Sequence, residues 1–162
     1  VIAEAGADGV YLADDWGTQT SLQICPAAWR EHFKPAYADM IDLAHERGLD
    51  VWFHTDGNII EIVPDFVDIG LDVLGNLQAT ALDIEAMASL TRGRMAVFGG
   101  LDAARLARVT QAEVDSMVRS LLSTFAVFQG GYIFSPDNTI MPDTPVENVW
   151  ELFRCVREYG RR

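Results

Sequence analysis

"GLDVWFHTDGN" (residues 48–58) decides the fold class. Gly48 is the residue type that commonly follows a helix. Asp50 then opens the run Val51, Trp52, Phe53, which is β-branched and aromatic and too short for a helix turn of its own. The run ends abruptly in His54, Thr55, Asp56, Gly57 and Asn58. The same cadence recurs at "GADGV" (6–10) and "GLDV" (70–73). Each reads as helix end, short loop, strand start. Strands are therefore predicted over 10–13, 51–54, 73–76, 95–100 and 132–135, and helices over 27–47, 58–68, 81–91, 111–128 and 145–159. Thr110 with Glu113, and Thr144 with Glu147, have the spacing of capping boxes, and Pro145 suits a first helical position. Short apolar strands alternating with helices mean a parallel α/β sheet. Nothing divides residues 1–162, so one domain is expected.

Composition narrows the class. The chain has 162 residues, 49% hydrophobic and 22% charged, as in ordinary globular proteins. Its 12 basic and 24 acidic residues leave a net charge of -12, which argues against a nucleic-acid partner. No apolar run approaches the ~18 residues that span a bilayer, and the opening is no signal peptide, so no membrane role is expected. The opening residues read as the tail of a helix, which predicts a portion of a longer chain. Cys25 and Cys155 have no CxxC partner; two buried free thiols and a cytoplasmic location are expected.

Parallel strands bring their C-terminal ends to one edge, where ligands bind in such folds. That edge collects Asp14, Asp15 and Trp16; His54 and Asp56; Asn76 and Gln78; Asp102; and Ser135, Asp137 and Asn138. A carboxylate beside an imidazole fixes the tautomer and suits proton transfer, and His-x-Asp also suits a divalent metal. Plainer roles exist for each. His54 can end a strand, Asp56-Gly57 can be a turn, Asn58 and Asp102 can cap helices, and Trp16 can pack under a loop. His32 and His45 lie within helical pattern. The absence of GxGxxG and GxxxxGK[ST] loops speaks against a nucleotide-binding, doubly wound sheet.

Three segments carry a family resemblance: "ADDWGTQTSLQICPAAWREHFKPAYADMIDLAHERGLDVWFHTDGNI", "GGLDAARL" and "GGYIFSPDNTIMPDTPVENVWELFRCVREYG". Together they resemble the second half of the uroporphyrinogen decarboxylase superfamily. The resemblance implies a (β/α)8 TIM-barrel fold, of which this chain supplies about the last five βα units. It implies two kinds of chemistry. The methyltransferase-like branch uses zinc, held by His-x-Cys and a later Cys, to activate a thiol that accepts a corrinoid-borne methyl group. Here His54 matches the His, Asp56 stands at the first Cys and Asn138 at the second. The decarboxylases of porphyrin and haem biosynthesis need no metal cofactor; "ADDW" and "LDAARL" are similar to theirs, but "HTDGN" is not. The motifs favour the methyltransferase-like branch. Catalytic roles are then expected for His54, Asp56 and Asp14, with His54 and Asp56 as metal ligands. Asp15, Trp16, Asn76, Asp102 and Asn138 would meet a small-molecule, tetrapyrrole or corrinoid substrate, with a corrinoid protein as a partner. A third reading is a truncated, non-catalytic half-barrel that serves binding or assembly.

Five units do not close an eight-stranded barrel. Half of Val10, Leu12, Val51, Phe53, Val97 and Ile133 should then line an open inner face, and a homo-oligomer or the remainder of a longer chain should cover it.

Overall fold

The computed structural model describes residues 3–126 and 131–160. A short 3-10 turn (Ala3–Ala5) leads into β1 (Gly9–Ala13), α1 (Pro26–His32), α2 (Lys34–His45) and β2 (Asp50–His54). A second 3-10 turn (Ile60–Ile62), α3 (Val63–Asp68), β3 (Val73–Leu77), α4 (Ile84–Thr91) and β4 (Ala96–Leu101) follow. The chain then forms α5 (Ala103–Leu106), α6 (Gln111–Ala126), β5 (Tyr132–Pro136) and α7 (Val146–Tyr159). The last two residues of the helix predicted over 111–128 lie outside the described residues.

All five strands are parallel, in the order β1-β2-β3-β4-β5. That order settles the architecture. Parallel crossovers are right-handed as a rule, and each here steps the same way along the sheet, which puts every helix on one face. A doubly wound sheet would need the order to reverse. The result is a partial TIM-barrel α/β fold. No helix among the described residues is long and apolar enough to cross a membrane.

The helix-facing side of the sheet holds the core. Val51, Phe53, Leu74 and Val97 are buried there, with Val10, Leu12 and Tyr132 packed against them. An aromatic cluster locks α1, α2 and α3 to it: Phe66 lies 4.9 Å from Phe53 and 5.2 Å from Trp29, centroid to centroid. A second cluster joins Leu101 and Leu106 to Val114, Val118, Leu152 and Cys155. Of the six strand residues, half of which are expected on an inner face, only Ile133 lies there by strand alternation; Val10, Leu12, Val51, Phe53 and Val97 point into the helix layer. The opposite face carries Tyr11, Trp52, His54 and Phe98 instead. Tyr11 is 64% exposed, and Trp52 packs on Phe98 at 5.9 Å.

Three local expectations change. The helix predicted over 27–47 is two helices, because Pro35 has no N–H to give residue 31 and its ring crowds that turn; the chain breaks at Phe33. Pro145 is the N-cap of α7 rather than its first residue, since Asn148 and Val149 N–H both bond to the Pro145 carbonyl. Thr144 is thereby one position too early to cap. Both thiols are free, but only Cys155 is buried; Cys25 is exposed. The Thr110–Glu113 box forms as expected, with Thr110 N–H 2.8 Å from Glu113 Oε2.

Candidate functional site

The β1 and β2 strands end side by side, with Ala13 paired to His54. The two chains then stay together past the sheet. Asp14 N–H donates to the His54 carbonyl (3.1 Å) and Gly17 N–H to the Asp56 carbonyl (3.1 Å). Trp16 N–H donates to the hydroxyl of buried Thr55 at 3.0 Å. This paired extension delivers three side chains to one spot. His54 Nε2 lies 3.5 Å from Asp15 Oδ1 and 3.9 Å from Asp56 Oδ2. Asp15 Oδ1 also accepts the Asp56 N–H at 3.2 Å. From just beyond the end of β3, Gln78 Oε1 accepts the Gly57 N–H at 3.2 Å. The His54 ring stacks near Tyr11, and its Nδ1 is buried with no hydrogen-bond partner among the described residues.

Electrostatics make the cluster uneven. Burial pushes the Asp56 carboxyl above its ordinary value; His54 opposes that shift and Asp15 adds to it. Asp137, 6% exposed behind β5, is also raised, mainly by burial, with Asp102 and Asp56 adding to the shift. Asp137 is itself tied down, accepting the Ala103 N–H at 3.0 Å. The mouth is therefore an acidic edge in which at least two carboxyls hold a proton more readily than usual.

Ligands about 2.0–2.2 Å from a tetrahedral ion sit ~3.4 Å apart. The 3.5 and 3.9 Å separations around His54 are close to that spacing, and one donor from each of Asp15, His54 and Asp56 lies within 4.8 Å of the others. The donor set is one imidazole and two carboxylates, which suits a divalent ion. A second group, Asp115, Glu151 and Cys155, has similar spacing but is already occupied by its own cations. Arg119 Nε lies 2.6 Å from Asp115 and Arg154 Nη2 lies 2.6 Å from Glu151. The Cys155 thiol is pushed up to about 12 by burial and by its acidic acceptors. It reads as a structural knot between α6 and α7.

The other sequence candidates share the edge without joining the cluster. Asp14 turns the other way: its Oδ2 accepts the Tyr37 hydroxyl at 2.7 Å. Trp16 packs beside Phe33 at 4.5 Å and donates its indole N–H to Tyr37. Asp102 caps α5 through the Arg105 N–H at 2.8 Å. Asn138 is exposed, its Oδ1 accepting the Thr139 N–H at 2.7 Å. Asn76 is half-buried in β3. Tyr37 is the residue that sequence reading missed. It lies inside a helix pattern, 21 residues from Trp16, and only the fold reveals its link to "ADDW".

Comparison with known proteins agrees with this architecture. The family model for uroporphyrinogen decarboxylase (URO-D) matches residues 1–159. A Thermus thermophilus protein named uroporphyrinogen decarboxylase is 30% identical over 159 residues, covering 96% of this chain and 43% of its own length. The chain thus spans less than half of the curated relatives it matches. Among solved structures, a methyltransferase from Methanosarcina mazei superposes with a TM-score of 0.72 at 21% identity, covering 98% of this chain and 44% of that one. A dihydropteroate synthase from Anaplasma phagocytophilum does so at 0.61 and 14%, covering 97% and 62%. At those identities the structural likeness concerns the fold.

Proposed function

The chain belongs to the uroporphyrinogen decarboxylase family, and from that premise we propose that it is a methyltransferase-like enzyme domain working on a corrinoid-borne methyl group, with Asp15, His54 and Asp56 holding one divalent metal. The observation that carries this reading is the placement of Asp15 Oδ1 and Asp56 Oδ2 at 3.5 and 3.9 Å from His54 Nε2. Asp15 enters as the third ligand beside the expected His54 and Asp56, a place that Asp14, held by Tyr37, and Asp137, held by the Ala103 N–H, do not take. A divalent metal bound there would lower the pKa of a substrate thiol and so supply thiolate near neutrality.

The chain's own residues frame the rest of the chemistry. Asp56, with its raised affinity for a proton, would give that proton up as the ion binds. Tyr11, Trp52 and Phe98 share the uncovered side of the sheet with His54, Trp52 tilted 55° to Phe98. They offer an aromatic surface to the body of a small or tetrapyrrole-like substrate.

The test is metal binding by the 162-residue chain. Zinc or Co²⁺ should bind at one equivalent, and His54→Ala should lower affinity by at least about tenfold. No binding after supplementation would remove the reading. A second reading, a uroporphyrinogen decarboxylase-type lyase, is favoured by the name carried by the 30% identical relative. It predicts CO₂ release from uroporphyrinogen that a chelator leaves untouched, whereas methyl transfer from methylcobalamin to a small thiol should stop.

A further inference from the structure

We propose that Tyr37 is a positioning residue, holding the Asp14–Trp16 loop so that Asp15 stays against His54 and Asp56. The inference rests on the reading of those three side chains as a metal site. Tyr37 is 5% exposed on α2. Its hydroxyl donates to Asp14 Oδ2 at 2.7 Å and accepts the Trp16 indole N–H at 3.1 Å. One oxygen therefore grips both neighbours of Asp15 and draws them into the helix layer. The residue between two such anchors is left on the other side of the chain, which here is the mouth.

The side chain of Asp15 has one other tie there, its Oδ1 accepting the Asp56 N–H at 3.2 Å. Its side chain is 57% exposed, and an exposed carboxylate does not hold a place by weak surface attraction alone. Its backbone carbonyl is fixed by Gln23 Nε2 at 2.9 Å, and the paired run beside residues 54–57 fixes the chain direction. The clamp on either side turns that side chain toward the mouth, where the Asp56 N–H meets it. The Tyr37 ring does not depend on its hydroxyl for its own position, since Phe53 and Trp29 pack on it at 5.0 and 5.9 Å. Tyr37→Phe is therefore a clean removal of the clamp, leaving the core filled.

The experiment is a double-mutant cycle on the 162-residue chain, with Co²⁺ as the probe followed by its visible absorbance. Tyr37→Phe should weaken Co²⁺ binding about tenfold, the low end for a residue that supports a ligand. In an Asp15→Asn background the same change should matter less than about twofold, because coupled residues are non-additive. An equal loss in both backgrounds, or no loss in either, would overturn the proposal, and so would a fall in Tm unaccompanied by this coupling. Absence of Co²⁺ binding by the unmutated chain would sink the metal reading alone. The metal-free ring resonances of His54 then decide: Tyr37→Phe should move them when Asp15 is present and not in Asp15→Asn. Resonances that stay put in both would dispose of the clamp.

Discussion

Replacing Gly17 by alanine should pull the candidate site apart without touching any of its side chains. Gly17 and Gly57 lie back to back where the loops after β1 and β2 cross. A Cβ on Gly17 would sit 2.5 Å from the Asp56 carbonyl oxygen, 2.5 Å from the Gly57 carbonyl carbon and 2.6 Å from Asn58 N. Ordinary contact begins near ~3.5 Å, so the loops must part by about 1 Å. All three obstacles are backbone, so no side chain can swing away to relieve them. Overpacking of this kind costs about 1–3 kcal/mol. The same displacement acts on the Asp15–Asp56 hydrogen bond at 3.2 Å and the His54–Asp15 approach at 3.5 Å. A metal site tolerates about 0.2 Å in its ligand distances, so Co²⁺ affinity should fall at least about tenfold. Gly57→Ala meets the Gly17 backbone equally closely and must also hold φ at +80°; that adds roughly 1–2 kcal/mol. Urea unfolding and Co²⁺ titration of both variants provide the check. Gly17→Ala with an unchanged urea midpoint and unchanged affinity would refute the argument that this crossing sets the site.

Two further outcomes follow from charge and exposure. Burial holds the folded pKa of Asp56 above the unfolded 3.8, so ionising it penalises the fold; the penalty is absent below that pH and grows as pH rises through the folded value. In chelator, Asp56→Asn should accordingly raise Tm at pH 7 and leave it unchanged at pH 3; a fall at pH 7 would show that the charge supports the fold. The uncovered sheet face, with Tyr11 64% exposed, and the outward stripe of α7, with Trp150 70% and Phe153 56% exposed, should make the chain self-associate. Sedimentation should show this, reduced by Tyr11→Asp or Trp150→Asp, and a monomer at high concentration would contradict it.

The strands, and the edge where their polar ends gather, were readable because glycine-aspartate starts and short apolar runs are local signals. What could not be read was which way each strand residue faces. An alternating strand announces its two faces, but "VYLA" and "VWFH" are apolar on both, so parity is undetermined until the helices are placed. The expectation that half of Val10, Leu12, Val51, Phe53, Val97 and Ile133 would face inward failed on this point, since only Ile133 does. The same ambiguity governs "ADDW". Asp14 and Asp15 are chemically alike and adjacent, and one step of parity sends the first to Tyr37 and the second to His54. The helix break was more legible, since Pro35 stands in the middle of the predicted segment; the amphipathic pattern ran across it and hid the consequence.

Parity also ties the site to whatever covers the sheet. Trp52 and His54 are two residues apart on one strand and share a face, so the aromatic rings and the imidazole belong to the same surface. Any element that closes over Tyr11, Trp52 and Phe98 must remove water from the approach to His54. Burial is already the largest influence on Asp56, and closure can only strengthen it. In a drier site an ion and its carboxylates attract one another more strongly, because the effective dielectric falls. Protonation of Asp56 competes for the same oxygen and is favoured by the same drying. The two effects oppose each other at low pH and separate once Asp56 is ionised. Metal affinity of the 162-residue chain should therefore be a lower bound at neutral and alkaline pH, with covering of the face adding most where Asp56 has lost its proton.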